Sequence, residues 1–324
     1  MTPGEIYALV APELSRVEEE LRRYTDSPVR TISEIGEYLL DGGGKRIRPA
    51  LLLLTAKMLG AVTETTIRLA AVVEFIHNAT LVHDDIIDLA DTRRGRPTAN
   101  SQWGNPMTVL AGDWLYMQSF AMALRERNFD VLFTLIGITQ RMVEGELLQL
   151  SLLRKSDVSE AQLLEIVESK TACLFSGCTR LPGIAAGLNH RTAEQLSEAG
   201  RNLGMAFQLV DDLLDLTSNS ATLGKPVASD LKEGKVTLPV YYAMANGRAD
   251  AARKVQTVLE EGEFRSVTCD EILGLVQDGG GIERTCAHAV QYANQAKSLL
   301  EQFSPSVHRD ALFGVADFIL ERKA

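Results

Sequence analysis

Apolar residues recur at three- and four-residue steps along almost the whole chain. SRVEEELRRY (15–24), IRLAAVVEFIHNATLVHDDIID (67–88), EAQLLEIVESKTACLFSGCTRL (160–181) and GRNLGMAFQLVDDLLDL (200–216) all carry this period. It is the period of a helix with one buried stripe. No run alternates as a strand over any length. Glycine and proline punctuate the helical pattern at DGGGK (41–45), RRGRP (93–97), WGNP (103–106), GKP (224–226) and DGGG (278–281). No short-period repeat appears, which argues against a solenoid. The 324 residues contain no Gly/Ser-rich or Pro-rich linker. The expected architecture is one all-α domain, residues 1–324, of ten or more helices.

The most apolar run, ALLLLTAKMLGAV (50–62), is broken by Lys57 and falls short of the roughly 20 apolar residues that a spanning helix needs. The first residues become charged quickly and lack the basic start and apolar run of a signal peptide. A soluble protein with no stable membrane insertion is expected. The cysteines are Cys173, Cys178, Cys269 and Cys286, with no CxxC pair. They read as small apolar core residues in a reducing cytoplasm. The net charge is −10, which argues against a nucleic-acid partner. An anionic substrate would have to be met through a cation.

HDDIID (83–88) interrupts a very apolar helix, and DDLLD (211–215) repeats the spelling. At about 100° per residue, with His77 at zero, Asp84 falls at about −20° and Asp88 at about +20°. Asp85 lies beside this stripe. With Gln208 at zero, Asp212 falls at about +40°, Asp215 at about −20°, Asp211 at about −60° and Gly204 at about −40°. Carboxylates one turn apart repel, at a cost of tenths of a kcal/mol even when exposed. Between apolar flanks the cost is larger unless a cation compensates. One such segment reads as a solvated face; two, both inside apolar helices, point to a metal site. Oxygen-only ligands suit a hard cation such as Mg²⁺, which takes one or two carboxylates and completes its shell with water and phosphate oxygens.

A basic loop follows each acidic segment. DTRRGRP carries Arg93, Arg94 and Arg96; GKP and KEGK carry Lys225, Lys232 and Lys235. Arginine and lysine there would form a second clamp on a phosphorylated ligand. Upstream, GGGKRIRP places Lys45, Arg46 and Arg48 at a helix start, where open backbone N–H groups and the dipole favour an anion. The GxxxxGK[ST] spacing of a P-loop is absent. Two anion sites are therefore expected. One is metal-mediated; the other is metal-free and uses Lys45, Arg48 and His77.

GGGKRIRP (42–49), HNATLVHDDIIDLADTRRGRPT (77–98), KTA (170–172), FQLVDDLLD (207–215) and GKPVASDLKEGKVTLP (224–239) together resemble the trans-isoprenyl (polyprenyl) diphosphate synthases, in the family's motif order. The resemblance implies an isoprenoid-synthase-type helical bundle around a deep central cavity, in a homodimer. It implies that Asp84, Asp88, Asp211 and Asp215 hold Mg²⁺. That cluster would grip an allylic diphosphate with Arg93, Lys170, Lys225 and Lys235. Isopentenyl diphosphate would sit on Lys45, Arg48, His77 and Arg94. Departure of the diphosphate would leave an allylic cation, which the isopentenyl double bond attacks before a proton is lost. Thr171 and Gln208 match positions that place oxygen near that cation.

The apolar helices would line the tunnel for the growing chain. Ala79 and Thr80, about one turn before Asp84, stand where short-chain members of the family carry a bulky aromatic. Two small residues favour a medium or long product of the octaprenyl kind, for quinone side chains. Met117, Phe120, Met122 and Leu124 are candidates for the tunnel floor. Four alternatives remain. A short-chain synthase would stop at farnesyl or geranylgeranyl length, and a non-catalytic subunit would need a partner. An HD-type phosphohydrolase leaves the second DDxxD unexplained. A terpene cyclase or head-to-head synthase leaves the Lys45/Arg48/His77 site unexplained.

Overall fold

The computed structural model describes residues 1–93, 95–218, 227–246 and 250–322. Each of the four strongly periodic segments is helical there. The chain begins with α1 (Pro3–Ala8), α2 (Ala11–Thr25), α3 (Arg30–Asp41), α4 (Ile47–Met58) and α5 (Glu64–Ile87). After a two-stranded hairpin, β1 (Thr92–Arg93) and β2 (Arg96–Pro97), come α6 (Ala99–Trp103), α7 (Asn105–Leu124), α8 (Phe129–Leu152) and α9 (Glu160–Val167). A single π turn, Glu168–Ala172, leads into α10 (Cys173–Ala185) and α11 (His190–Thr217). The remaining helices are α12 (Ser229–Lys232), α13 (Leu238–Asn246), α14 (Ala251–Glu261), α15 (Cys269–Asp278), α16 (Gly281–Leu300) and α17 (Val307–Glu321).

Two compact units can be distinguished. The first comprises Met1–Thr139, Leu174–Ser197 and Leu300–Gly314; the second comprises Gln140–Cys173, Glu198–Leu299 and Val315–Ala324. In the first, α5 is the central helix. Thr63 and Thr66 cap it reciprocally, each side chain accepting from the other's backbone N–H at 3.3 and 2.9 Å. Ile67, Leu69 to Val73, Phe75, Ile76 and Ala79 are all buried. Each fully buried large apolar side chain contributes about 1.5–3 kcal/mol. The helix α7 packs along α5 because Gly112 leaves room for the His83 ring, which a Cβ there would overlap. His83 Nε2 lies 3.2 Å from the Val109 carbonyl.

In the second unit, Ser159 and Gln162 cap α9 in the same reciprocal way. The fully buried Tyr242 of α13 donates to Glu160 at 2.7 Å.

The RRGRP segment is not a plain loop. Thr92 pairs with Pro97 and Arg93 with Arg96 in antiparallel register, and Gly95 takes a φ of +73° in the turn. Two residues per strand are too few to show alternation in sequence. The cysteines divide. Cys173 and Cys178 are buried, whereas Cys269 is half-buried and Cys286 is exposed. Cys286 is therefore not a core residue; it lies on the solvent side of the amphipathic α16.

Candidate active site

The first aspartate motif closes α5. Along this helix His77 is the first partly exposed position after eight consecutive buried residues. Thr80, Leu81, Asp84 and Asp88 follow as partly exposed positions, so the stripe read from the helical angle exists. Asp88 caps the helix, its N–H donating to the Asp84 carbonyl at 2.8 Å. Asp85 is buried beside them and pairs with Arg93 at 2.7 Å. Burial pushes its carboxyl up, Arg93 pulls it back, and Asp88 pushes it up again. In the first unit Arg93 is thus tied to the motif it follows. One turn earlier Ala79 is fully buried, and the Thr80 hydroxyl donates to the His77 carbonyl at 2.7 Å.

The glycine-rich segment forms the connection between α3 and α4. Lys45 is exposed and Arg48 half-buried, its guanidinium 5.1 Å from the Phe175 ring. No side-chain cap occupies the start of α4. Arg46, between them, adopts a left-handed φ of 47°. Its guanidinium donates to Glu18 at 2.6 Å and to Glu74 at 2.9 Å.

In the second unit, α11 carries the second motif. Asp212 and Asp215 are buried, and Asp211 is half-buried. Thr171 Oγ1 donates to Gln208 Oε1 at 2.8 Å, and Gln208 Nε2 donates to Asp212 Oδ1 at 2.9 Å. The π turn places Thr171 at this relay and Lys170 beside it; an extra residue in one helical turn often marks a functional position. Lys170 pairs with Glu146 and donates to Gln149. Asp215 accepts from the Ser229 hydroxyl at 2.7 Å and the Asp230 N–H at 3.3 Å. Lys235 pairs with Glu233 at 2.9 Å. Asp211 pairs with Arg322 at 2.7 Å.

Several of these groups carry no local signal in the sequence. Arg322 stands just past the end of α17, and its charge alone does not single it out. Glu146 and Gln149 precede α9 on α8, and Glu74 is one acidic residue on a long apolar helix. Arg94 and Lys225 lie outside the described residues.

The donor set fits a hard divalent cation. Burial pushes the Asp212 carboxyl well up, and Asp230, Asp211 and Asp215 push it further, against the Gln208 hydrogen bond. Such crowded carboxylates call for positive charge. Among the described residues no three His, Cys, Asp or Glu side chains converge as a metal site of their own.

The polyprenyl synthetase family model matches residues 29–275. The chain belongs to the polyprenyl synthetase family. It is 37% identical over 322 residues to octaprenyl diphosphate synthase from Escherichia coli, covering 99% of each chain. It is 35% identical to geranylgeranyl diphosphate synthase from Methanosarcina mazei, covering 88% of each. Its structure matches that of a polyprenyl synthase from Caulobacter crescentus complexed with calcium and isoprenyl diphosphate. That match has a TM-score of 0.94 and 34% identity, covering 100% of this chain and 98% of the other.

This family member is therefore an all-helical prenyltransferase of isoprenoid synthesis. Among its described residues no helix is long and apolar enough to cross a membrane. Two of the floor candidates are corrected by their surroundings. Met117 and Leu124 are 61% and 59% exposed, so they stand on the outer face of α7. With Leu110 they form a stripe at heptad spacing that points away from α5. Met122 is buried, and Phe120 lines an apolar groove of about 510 Å³ with Ala121, Leu124, Leu132, Ile136 and Thr139.

Proposed function

We propose that this single-domain prenyltransferase condenses isopentenyl diphosphate head-to-tail with an allylic diphosphate, using Mg²⁺. The reading assigns a medium or long all-trans product of the octaprenyl kind, made in the cytoplasm for quinone side chains. The observation that carries it is the polar stripe of His77, Thr80, Asp84 and Asp88, which follows eight consecutive buried residues of α5. Nothing in core packing requires a carboxylate pair there.

Asp84 and Asp88, and Asp211 with Asp215 behind it, are the metal-binding carboxylates. When bound, Mg²⁺ supplies Lewis-acid neutralisation of the departing diphosphate. Arg93, Lys170, Lys225 and Lys235 hold that diphosphate. Lys170 arrives already oriented by Glu146 and Gln149, so little reorganisation is needed at the moment of reaction. Lys45, Arg48, His77 and Arg94 hold isopentenyl diphosphate. The relay from Thr171 through Gln208 to the buried Asp212 presents oxygen dipoles to developing positive charge. The small side chains of Ala79 and Thr80 favour products beyond geranylgeranyl length. A short-chain product is the second reading, favoured by the likeness to the geranylgeranyl enzyme.

The outer face of α7 and the first half of α8 supports a homodimer. Leu110, Met117 and Leu124 share one face of α7, and Phe129 and Phe133 are exposed on α8. An apolar face of this kind is rarely left open to water, and a second copy of the chain would cover it.

The test is transfer of label from isopentenyl diphosphate into an organic-extractable, acid-labile product. Transfer is expected only with an allylic diphosphate and Mg²⁺ both present, and EDTA abolishes it. No transfer by the folded protein with both present would contradict the reading and favour a partner-dependent subunit.

A further inference from the structure

The metal-free anion site has a foundation of its own. Arg46 lies between Lys45 and Arg48 in sequence, but it points away from solvent. Its Nε donates to Glu18 Oε1 at 2.6 Å and its Nη2 to Glu18 Oε2 at 3.3 Å. Its Nη1 donates to Glu74 Oε1 at 2.9 Å, and Nη2 also reaches the Leu40 carbonyl at 3.4 Å. One guanidinium therefore ties the connection after α3 to α2 and α5 together. Its side chain is 12% exposed and that of Glu74 only 4%.

The backbone agrees with this arrangement. Arg46 takes the left-handed conformation that β-carbon residues avoid, and such a residue persists only where its surroundings over-determine it. The Tyr7 hydroxyl donates to the carbonyl of Lys45. Burial, with Glu74 adding to it, pushes that phenol up to about 12, so it remains a donor. Lys45 is thus fixed through its carbonyl and through its neighbour's side chain. Arg48, the second residue of α4, is within electrostatic reach of Glu74.

A buried carboxylate on α5 costs free energy unless it is paired. A plain apolar contact would hold α4 against α5 without that cost. The pair does what an apolar contact cannot: it fixes the rotation and height of one loop residue through several directional bonds.

We infer that Glu74, Arg46 and Glu18 form a positioning clamp that pre-orients Lys45 and Arg48 for the diphosphate of the homoallylic substrate. The inference rests on the proposed assignment of Lys45 and Arg48 to isopentenyl diphosphate. None of the three touches substrate. Their effect is therefore on one Michaelis constant and not on the chemical step.

The experiment compares wild type with Glu74→Gln, Glu18→Gln and Lys45→Gln. Isopentenyl diphosphate is titrated calorimetrically without an allylic partner, and steady-state constants are measured for both substrates. Glu74→Gln is expected to weaken isopentenyl diphosphate binding about tenfold and to raise its KM in step. The allylic KM and kcat should stay within about twofold of wild type. Glu18→Gln, at the more exposed end, is expected to cost about threefold on the same constant alone. If Glu74→Gln does not fold, Glu18→Gln decides. Folded variants with an unchanged isopentenyl diphosphate KM would overturn the clamp. So would a parallel loss in both KM values and kcat, which marks general structural damage. An unaffected Lys45→Gln would remove the underlying site assignment, and the clamp with it.

Discussion

The Arg322 guanidinium lies 2.7 Å from the Asp211 carboxylate and 4.5 Å from the centre of the Phe207 ring. A fixed positive charge thus rests on the most exposed carboxylate of the second aspartate motif. A divalent cation bound there would meet both a competitor and a repulsive neighbour. Arg322→Gln is expected to tighten divalent-metal binding to the substrate-free protein about fivefold. Titration of Mn²⁺ followed by electron paramagnetic resonance measures it. Unchanged or weaker binding would show that Arg322 does not oppose the metal.

The relay Thr171–Gln208–Asp212 is expected to act in the transition state. Gln208→Leu removes the donor to a buried carboxylate and the acceptor for Thr171. A fall in kcat of about 10²-fold is expected, with the isopentenyl diphosphate KM little changed. Thr171→Val should lower kcat by less. Steady-state kinetics on both variants check the order.

A bulky residue at the fully buried Ala79 should shorten the product. Ala79→Tyr overfills a packed site and is expected to cost about 1–3 kcal/mol of stability. Thr80→Phe, at a half-buried position, is the milder companion. Both are expected to move the end point to geranylgeranyl length or below, resolved by chromatography of the dephosphorylated products. Unchanged product length in both would separate these residues from the tunnel.

Much of this was legible in the sequence, for a physical reason. The stripe of His77, Asp84 and Asp88 follows from helical angle alone, because α5 runs unbroken from Glu64 to Ile87. What stayed hidden depends on long-range placement. Arg322 reaches Asp211 from the far end of the chain. Arg46 reads as one more basic residue beside Lys45, yet it is half-buried where Lys45 is exposed. Met117 and Leu124 read as candidates for the tunnel floor because an apolar outer face has the same period as an apolar inner one. The hairpin at RRGRP is too short to carry a strand signal.

The apolar outer stripe of α7 carries its own expectation. Met117→Asp with Leu124→Asp should leave the fold intact, since both side chains are largely exposed. Wild type is expected to sediment at twice the 35.5 kDa chain mass, and the double variant at the mass of one chain. A monomeric wild type would remove the dimer reading.

The most direct measurement is the length distribution of the product. The purified protein is given farnesyl diphosphate, labelled isopentenyl diphosphate and Mg²⁺, and the dephosphorylated products are resolved by chain length over time. A ladder that grows by single isoprene units and ends well beyond geranylgeraniol is the expected result. A mixture that stops after one addition would keep the condensation but contradict the long-product reading drawn from Ala79 and Thr80. Absence of any elongation by the folded, magnesium-supplied protein would contradict the account itself.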